Sequence, residues 1–348
     1  MTRVTFVSYD DDPPQGGQGV VLRETRTALQ QRGLEVDTVS GRGAHAVAFP
    51  RRTGRAPLDF SLYLRGHPEL LLRASPDVLH AFGGPGGVLL TRRFDAPLVY
   101  TAHHTYRQAY RRTQPRRVLA AFEARSYRRA AKVLAVSSST AGAVRAMGIP
   151  AHLIEVVPNG VHLPDDDGVH EPGRLLFVGR LEREKGVFDA LSVMASLSRE
   201  RSDVHGRVIG RGRLESVLRQ HAADSGNIEY LGAVDDATLH EEYGRASLVL
   251  MPSRYEGLGM VALEAQAAGT PVLGYDVDGL RDAVREGGML VAAGDVGALR
   301  AACLSLLDNE PRRADMGRRG RDYVRRHHSW EVTAARLQEI YDRVLTAA

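Results

Sequence analysis

Along the whole 348-residue chain, short runs of strand character alternate with helical stretches, and the alternation begins twice. The first series reads as strand Val4–Ser8, helix Gly19–Arg32, then strands Glu35–Val39, Val78–Ala81, Leu98–Thr101 and Val133–Val136. After residue 170 it restarts with Leu175–Val178, Gly206–Ile209, Ile228–Leu231, Leu248–Met251 and Pro271–Gly274, each followed by a helix or a Gly/Pro turn. Strands separated by helical crossovers pair in parallel and need helices on both faces of the sheet. A chain of this length exceeds what one core organises, so the repeat of the pattern implies an α/β protein of two Rossmann-like, doubly wound domains facing each other across a cleft. Between the two series, Val157–Gly168 carries Pro158, Asn159-Gly160, Pro164 and three aspartates, which defeats regular structure and marks a linker. The expected domains are residues 1–160 and 170–328. A closing helix, Ser329–Thr346 within 329–348, carries Trp330, Leu337, Ile340, Tyr341 and Val344 at helical spacing.

Composition removes several classes. A single cysteine, Cys303, forbids an internal disulfide framework and a multi-cysteine zinc site, and it reads as a small apolar residue of a helix over 297–307. Met1 runs directly into the first strand with no charged-then-apolar leader, and no apolar stretch reaches membrane-spanning length, so a cytoplasmic protein is expected. No Asp-x-Asp pair closes a strand in the first half and no His/Cys cluster has metal spacing, which disfavours metal-dependent chemistry. The acidic runs Asp10–Asp12 and Asp165–Asp167 read as solvated loops rather than metal sites.

The formal charge of +4 is unevenly spread. Residues 1–170 hold 22 Lys+Arg against 15 Asp+Glu, while residues 171–348 hold 24 against 27. Within the basic half, Arg107, Arg111, Arg112, Arg116, Arg117, Arg125, Arg128, Arg129 and Lys132 face only Glu123. Such a run suits a phosphate-bearing partner or a peripheral contact with an anionic membrane, such as the inner membrane face; a plain solvated face is the alternative. It matches no nucleic-acid recognition module, so no nucleic acid is expected. Lys132 and Lys185 are the only lysines, so a lysine in the turn Glu184-Lys185-Gly186 stands out as a phosphate ligand.

Five segments carry chemistry. In Glu256-Gly257-Leu258-Gly259-Met260-Val261-Ala262-Leu263-Glu264, a glycine-bearing turn opens a helix between two carboxylates. Backbone N–H groups of Gly257, Leu258 and Gly259 at a helix N-terminus suit phosphate, and carboxylates on either side suit hydroxyls. In Leu175–Gly186, a buried strand ends at Gly179 and is followed by Arg180 and Lys185, two cations able to neutralise a diphosphate unless they pair with Glu182 and Glu184. In Val208–Glu215, Gly210 and Gly212 let backbone approach a flat ligand. Pro14–Val20 follows the first strand with Gly16-Gly17 but lacks the dinucleotide Gly-x-Gly-x-x-Gly spacing. Val99–Tyr106 ends the fourth strand with Thr101-Ala102-His103-His104. The neighbouring Phe82–Gly87 loop is rich in glycine and has no assigned ligand.

The first of these segments, continued by Ala265-Gln266-Ala267-Ala268-Gly269-Thr270-Pro271-Val272, resembles the signature of the retaining nucleotide-sugar glycosyltransferases of family 4, which have the GT-B fold. The other four follow in the family's order, so the resemblance covers nearly the whole chain and is most specific in its second half. It implies sugar transfer from a nucleoside-diphosphate donor to an acceptor hydroxyl by same-face displacement without a protein nucleophile, hence with retention. It also implies that Arg180, Lys185 and the N–H groups near Gly257–Gly259 stabilise the departing diphosphate, Glu264 holds the ribose and Glu256 the sugar hydroxyls. By the same resemblance Gly210 lies near the base, Gly17 approaches donor phosphate and acceptor, and His103 stands near the transferred sugar, with His104 the competing choice. The last helix would cross back onto the first domain. No cofactor is implied beyond the nucleotide-sugar co-substrate; the acceptor is a small molecule, a glycan or a lipid-linked sugar. The rivals are a sugar-nucleotide epimerase or phosphorylase of GT-B build, and a non-catalytic nucleotide-sugar-binding subunit, which would be expected to have lost Arg180, Lys185 or Glu256.

Overall fold

The computed structural model describes residues 1–13, 17–109, 115–164 and 168–347. The chain divides into two compact units, Met1–Gly160 with Trp330–Ala348, and Val161–Ser329.

The first unit is built on six parallel strands: β1 Arg3–Ser8, β2 Glu35–Ser40, β3 Val78–Gly83, β4 Leu98–Ala102, β5 Lys132–Ala135 and β6 Ile154–Val156. They lie in the order β2-β1-β3-β4-β5-β6. Successive residues of a strand point to opposite faces, and both faces here are apolar because helices cover both. Val4, Phe6, Val78, Phe82 and Val99 pack with Leu22 and Leu29 of helix Gly17–Gln31 and with Trp330, Leu337, Ile340 and Tyr341 of helix Trp330–Thr346. Val7, Leu79, Ala81, Tyr100 and Val133 pack on the other face with Phe60 and Leu64 of helix Ala56–Gly66 and Tyr127 of helix Pro115–Tyr127. The C-terminal helix is pinned by buried polar contacts as well. Its Tyr341 hydroxyl lies 2.6 Å from Nδ1 of His80 in β3, whose Nε2 meets Thr101 Oγ1 of β4 at 2.7 Å. At Gly160 a Cβ would meet Trp330 atoms at 2.6–2.7 Å, so only glycine lets the chain pass there.

The second unit also has six parallel strands: β7 Arg174–Val178, β8 His205–Ile209, β9 Ile228–Gly232, β10 Leu248–Met251, β11 Val272–Tyr275 and β12 Gly288–Val291, in the order β12-β11-β10-β7-β8-β9. Its core joins Leu175, Phe177, Val208, Leu248, Leu250 and Leu273 to Leu191, Met194 and Leu197 of helix Val187–Glu200 and to Leu299, Cys303 and Leu306 of helix Val296–Leu307. Burial pushes the Cys303 thiol up to about 12, so it is a core residue without thiolate chemistry at neutral pH.

Each sheet reverses its direction of growth once, between β1 and β3 in the first unit and between β7 and β10 in the second. In doubly wound sheets ligands bind outside the carboxyl ends of strands at such a reversal. Four loops therefore matter most: those after Ser8, Gly83, Val178 and Met251. Among the described residues no helix is long and apolar enough to cross a membrane.

Candidate active site

In the second unit the loops after β7 and β10 are stitched together. β7 gives way to Gly179, and a short 3-10 turn, Arg183–Lys185, ends at Gly186 in the left-handed region with φ 69°. A Cβ at Gly186 would lie 1.9 Å from the carbonyl oxygen of Pro252, and the Arg254 N–H donates to the Glu184 carbonyl at 2.8 Å. This close approach brings Lys185 to Glu256. Nζ donates to Oε1 at 2.6 Å, a charge-assisted bond between side chains that retain 21% and 10% of their exposure. Arg180 stands outside the pair, largely exposed, with a guanidinium nitrogen 3.6 Å from Glu184. The two cations thus have different partners: Arg180 takes the surface pairing, while Lys185 ignores the neighbouring acids for a carboxylate 71 residues away.

Past Glu256 the chain turns at Gly259, φ 82°, where a Cβ would also meet Leu280 Cδ2 at 2.8 Å, and enters helix Met260–Ala267. Leu258 is buried in the turn. Glu264, just over one turn into the helix, is half-buried, and its Oε2 accepts the hydroxyl of Tyr243 at 2.8 Å. Burial raises the Glu264 carboxyl above its ordinary value, while the Tyr243 bond and the nearby His240 and His162 pull the other way. Gly210, at the end of β8 with φ 139°, packs against β7's exit: a Cβ there would lie 1.8 Å from the Gly179 carbonyl oxygen. Its glycine is required by this packing before any ligand is considered.

In the first unit, the loop after β3 is rich in glycine for a steric reason. A Cβ at Gly84, φ 95°, would lie 2.4 Å from the His104 carbonyl oxygen, and one at Gly87 would lie 2.4 Å from that of Phe82. This loop lies against the backbone after β4, next to His103. The His103 ring stacks near Phe82, with centroids 6.0 Å apart and planes at 16°. Its Nε2 is buried with no hydrogen-bond partner among the described residues, and burial, followed by the neighbouring His104, pushes its pKa down to about 3. A neutral imidazole with one uncommitted nitrogen is suited to a ligand hydroxyl. Gly17 opens helix Gly17–Gln31, and no described residue lies within 4 Å of where its Cβ would be. Pro14, Gln15 and Gly16, like Asp165–Asp167, Arg111 and Arg112, lie outside the described residues.

Two expectations need correction. The helix after β1 begins at Gly17 rather than Gly19, so Gly17 belongs to its first turn. Nor is Asp10–Asp12 simply a solvated acid run. Asp11 is fully buried; its Oδ2 lies 2.6 Å from His45 Nδ1 and its Oδ1 accepts from Arg26 at 3.2 Å. Burial alone would raise this carboxyl, but these partners hold it below the usual value. Asp10 and Asp12 pair with Arg42 and Arg23 at 3.4 and 3.7 Å, so the run anchors the loop beside the reversal point through three arginines. Sequence reasoning also missed Tyr243. The only local sign was an aromatic residue in the helix just before β10, which is unremarkable by itself.

These loops and sheets have counterparts in known proteins. The model of the family described as "Glycosyltransferase Family 4" matches residues 15–164, and that described as "Glycosyl transferases group 1" matches residues 166–323. A D-inositol 3-phosphate glycosyltransferase of Pseudarthrobacter chlorophenolicus is 30% identical over 403 residues, covering 98% of this chain and 95% of the relative. A glycogen synthase of Mycobacterium tuberculosis is 30% identical over 285 residues, covering 76% of this chain and 68% of the relative. Among solved structures, the sucrose-phosphate synthase from Thermosynechococcus elongatus superposes with a TM-score of 0.80 at 20% identity, covering 100% of both chains. Two α/β units with these sheet orders and this set of loops define a glycosyltransferase of the GT-B fold. The chain belongs to the family 4 glycosyltransferases.

Proposed function

We propose that this glycosyltransferase moves a sugar from a nucleoside-diphosphate sugar to an acceptor hydroxyl with retention of anomeric configuration, using no metal ion. The observation that carries the reading is the Lys185–Glu256 pair at the reversal between β7 and β10, followed by the turn into the helix that bears Glu264. During transfer the bond from the anomeric carbon to the diphosphate oxygen breaks, and a bond to the acceptor oxygen forms on the same face. The acceptor proton passes to the departing diphosphate, so no protein nucleophile is needed. Arg180, Lys185 and the backbone turn Gly257–Gly259 are the groups assigned to the charge that grows on that diphosphate. Glu256 is assigned to the sugar hydroxyls and Glu264 to the ribose. Lys185 has three ammonium donors and spends one on Glu256, so it can hold the carboxylate and a phosphate oxygen together. Gly17 is assigned to close approach at the donor phosphate and acceptor, Gly210 to the edge of the base pocket, and His103 to the transferred sugar.

The acceptor is proposed to meet the protein through the basic first unit, which suits a cytoplasmic enzyme working on a phosphate-bearing small molecule or, at the inner membrane face, on a lipid-linked sugar. Helix Pro115–Tyr127 exposes Val118 and Phe122, and Arg125 and Arg128 are exposed beside them. Glu123 is the only acid from Arg107 to Lys132, and it is buried, its carboxyl pushed up to about 8 by burial, so at neutral pH it offsets little of this charge. A screen of nucleotide sugars by thermal stabilisation tests the donor assignment, because a ligand that binds only the folded state raises apparent stability as RT ln(1 + [L]/Kd). Stabilisation by at least one nucleotide sugar, followed by its consumption only when an acceptor is added, supports transfer. Conversion of the donor alone into an epimer or a sugar phosphate would replace it with the epimerase or phosphorylase reading.

A further inference from the structure

Glu264 presents two carboxylate oxygens, and the structure commits only one. Oε2 accepts from the Tyr243 hydroxyl at 2.8 Å, while Oε1 has no hydrogen-bond partner among the described residues. Tyr243 is itself closely packed. It is wholly buried on helix Asp236–Arg245, and its carbonyl oxygen accepts from the buried Thr270 Oγ1 at 2.6 Å. Its chain neighbour Glu242 is held by Arg174 at 2.6 Å and Arg207 at 3.1 Å, and Gly244 lies against Gly168. The phenol is therefore a fixed donor on the helix packed beside helix Met260–Ala267.

We propose that Tyr243 is a positioning residue for nucleotide recognition: its hydroxyl fixes the rotamer of Glu264 so that Oε1 is presented to the ribose hydroxyls of a nucleoside diphosphate. The proposal rests on the assignment of Glu264 to the ribose. A glutamate held in one rotamer before the ligand arrives loses less freedom on binding, so the bond raises affinity without touching the ligand. The phenol also favours the ionised carboxylate, the better acceptor for a hydroxyl. The groups facing Glu264 are Tyr243, His240 and Asp236 from helix Asp236–Arg245, and His162 from the segment after residue 160. Burial raises the Glu264 carboxyl and Tyr243 opposes that rise, so removing the phenol leaves the carboxyl higher still.

The test is calorimetric titration of the full chain with UDP, GDP and ADP, in the wild type and in Tyr243→Phe, across a pH series. The phenylalanine variant is expected to bind the preferred nucleotide roughly three- to tenfold more weakly, with the acidic loss of binding moved to higher pH. Donor KM is expected to rise with kcat little changed. In a Glu264→Gln background the same change should cost much less, because the group it positions is already altered. Equal losses in both backgrounds, or wild-type affinity with an unmoved pH profile, overturn the proposal. If Tyr243→Phe does not fold, Glu264→Asp decides: it keeps the charge but draws the carboxylate back by one methylene, and should bind as weakly as Glu264→Gln. Wild-type affinity in Glu264→Asp overturns the proposal. A wild-type protein that binds none of the three nucleotides fails differently, removing the ribose assignment itself and this inference with it.

Discussion

Lys185→Ala perturbs two things at once, and the structure separates them. The first is the cation assigned to the leaving diphosphate. Charge on that group grows as the glycosidic bond breaks, so the loss falls on the transition state more than on donor binding. Removing one preorganised donor of this kind costs roughly a hundredfold or more in kcat, about 2.7 kcal/mol, with a smaller change in donor KM. The second is the partner of Glu256, which keeps only 10% of its side-chain exposure. Stranding one partner of a fully buried pair costs about 3–5 kcal/mol and an exposed pair contributes about 0–1; this partly screened pair lies between, at about 1–3 kcal/mol. In a two-domain chain that corresponds to a loss of roughly 2–12 °C in Tm. A Lys185→Ala/Glu256→Gln double variant removes the stranded charge, so it should recover part of the stability but none of the rate. Steady-state kinetics at saturating donor, run well below every variant's Tm and beside thermal melts, read both effects. Unchanged kcat in Lys185→Ala refutes the assignment, and a rate that returns with stability in the double variant reduces Lys185 to a structural residue.

Glu264→Gln should weaken the bare nucleoside diphosphate in calorimetry; if it binds nucleotide as wild type does and fails only with the full donor, the roles of Glu264 and Glu256 are exchanged. Gly17→Ala should leave Tm unchanged, since no described residue lies within 4 Å of where the new Cβ would be, yet lower activity if backbone there approaches the ligand; full activity would remove Gly17 from the site. Gly210→Ala should instead lower Tm by several degrees, because its Cβ would collide with the Gly179 carbonyl; an unchanged melt would contradict the packing. Stability should peak near pH 6.5. His80 and His103, held near 3 by burial against an ordinary 6.5, stay neutral in the fold while the unfolded chain takes up protons, so stability falls as pH drops below 6.5. Glu123, held near 8 against an ordinary 4.5, keeps its proton in the fold, so stability falls as pH rises toward 8. Urea midpoints across pH check both limbs, and Glu123→Gln should flatten the alkaline one; a limb that persists in that variant assigns it elsewhere. Should the protein stay in the supernatant with anionic vesicles at low salt, the membrane contact through the Arg107–Lys132 segment fails; binding to anionic but not neutral vesicles, weakened by salt, is the expected result.

The interior strands were legible because a parallel strand buried on both faces is a continuous apolar run, as in Leu175–Phe177 or Leu248–Met251. The edges were not. β6, Ile154–Val156, and β12, Gly288–Val291, are only half-covered, carry Glu155 or begin at glycine, and lack that signal. Lys185 could be singled out because the chain otherwise favours arginine, and Glu256 by its glycine-bearing turn, but their pairing could not. The sequence separates Lys185 from Glu256 by 71 residues, and only the pairing of β7 with β10 makes them neighbours. Tyr243 and its bond to Glu264 were hidden for the same reason, the two residues lying on different helices. Asp11 was misread because a run of acids is solvated by default, whereas its partners Arg26 and His45 arrive from a helix and from the loop after β2.

The proposed reaction is retaining transfer from a nucleotide sugar without a metal ion, and the anomeric configuration of its product distinguishes it from inverting transfer. The protein is incubated in EDTA with the α-linked nucleotide sugar that stabilises it best and with an acceptor it glycosylates, and the new linkage is read by proton NMR. An α-linked product at undiminished rate is expected; a β-linked product, or activity that vanishes in EDTA and returns with a divalent ion, overturns the proposed reaction.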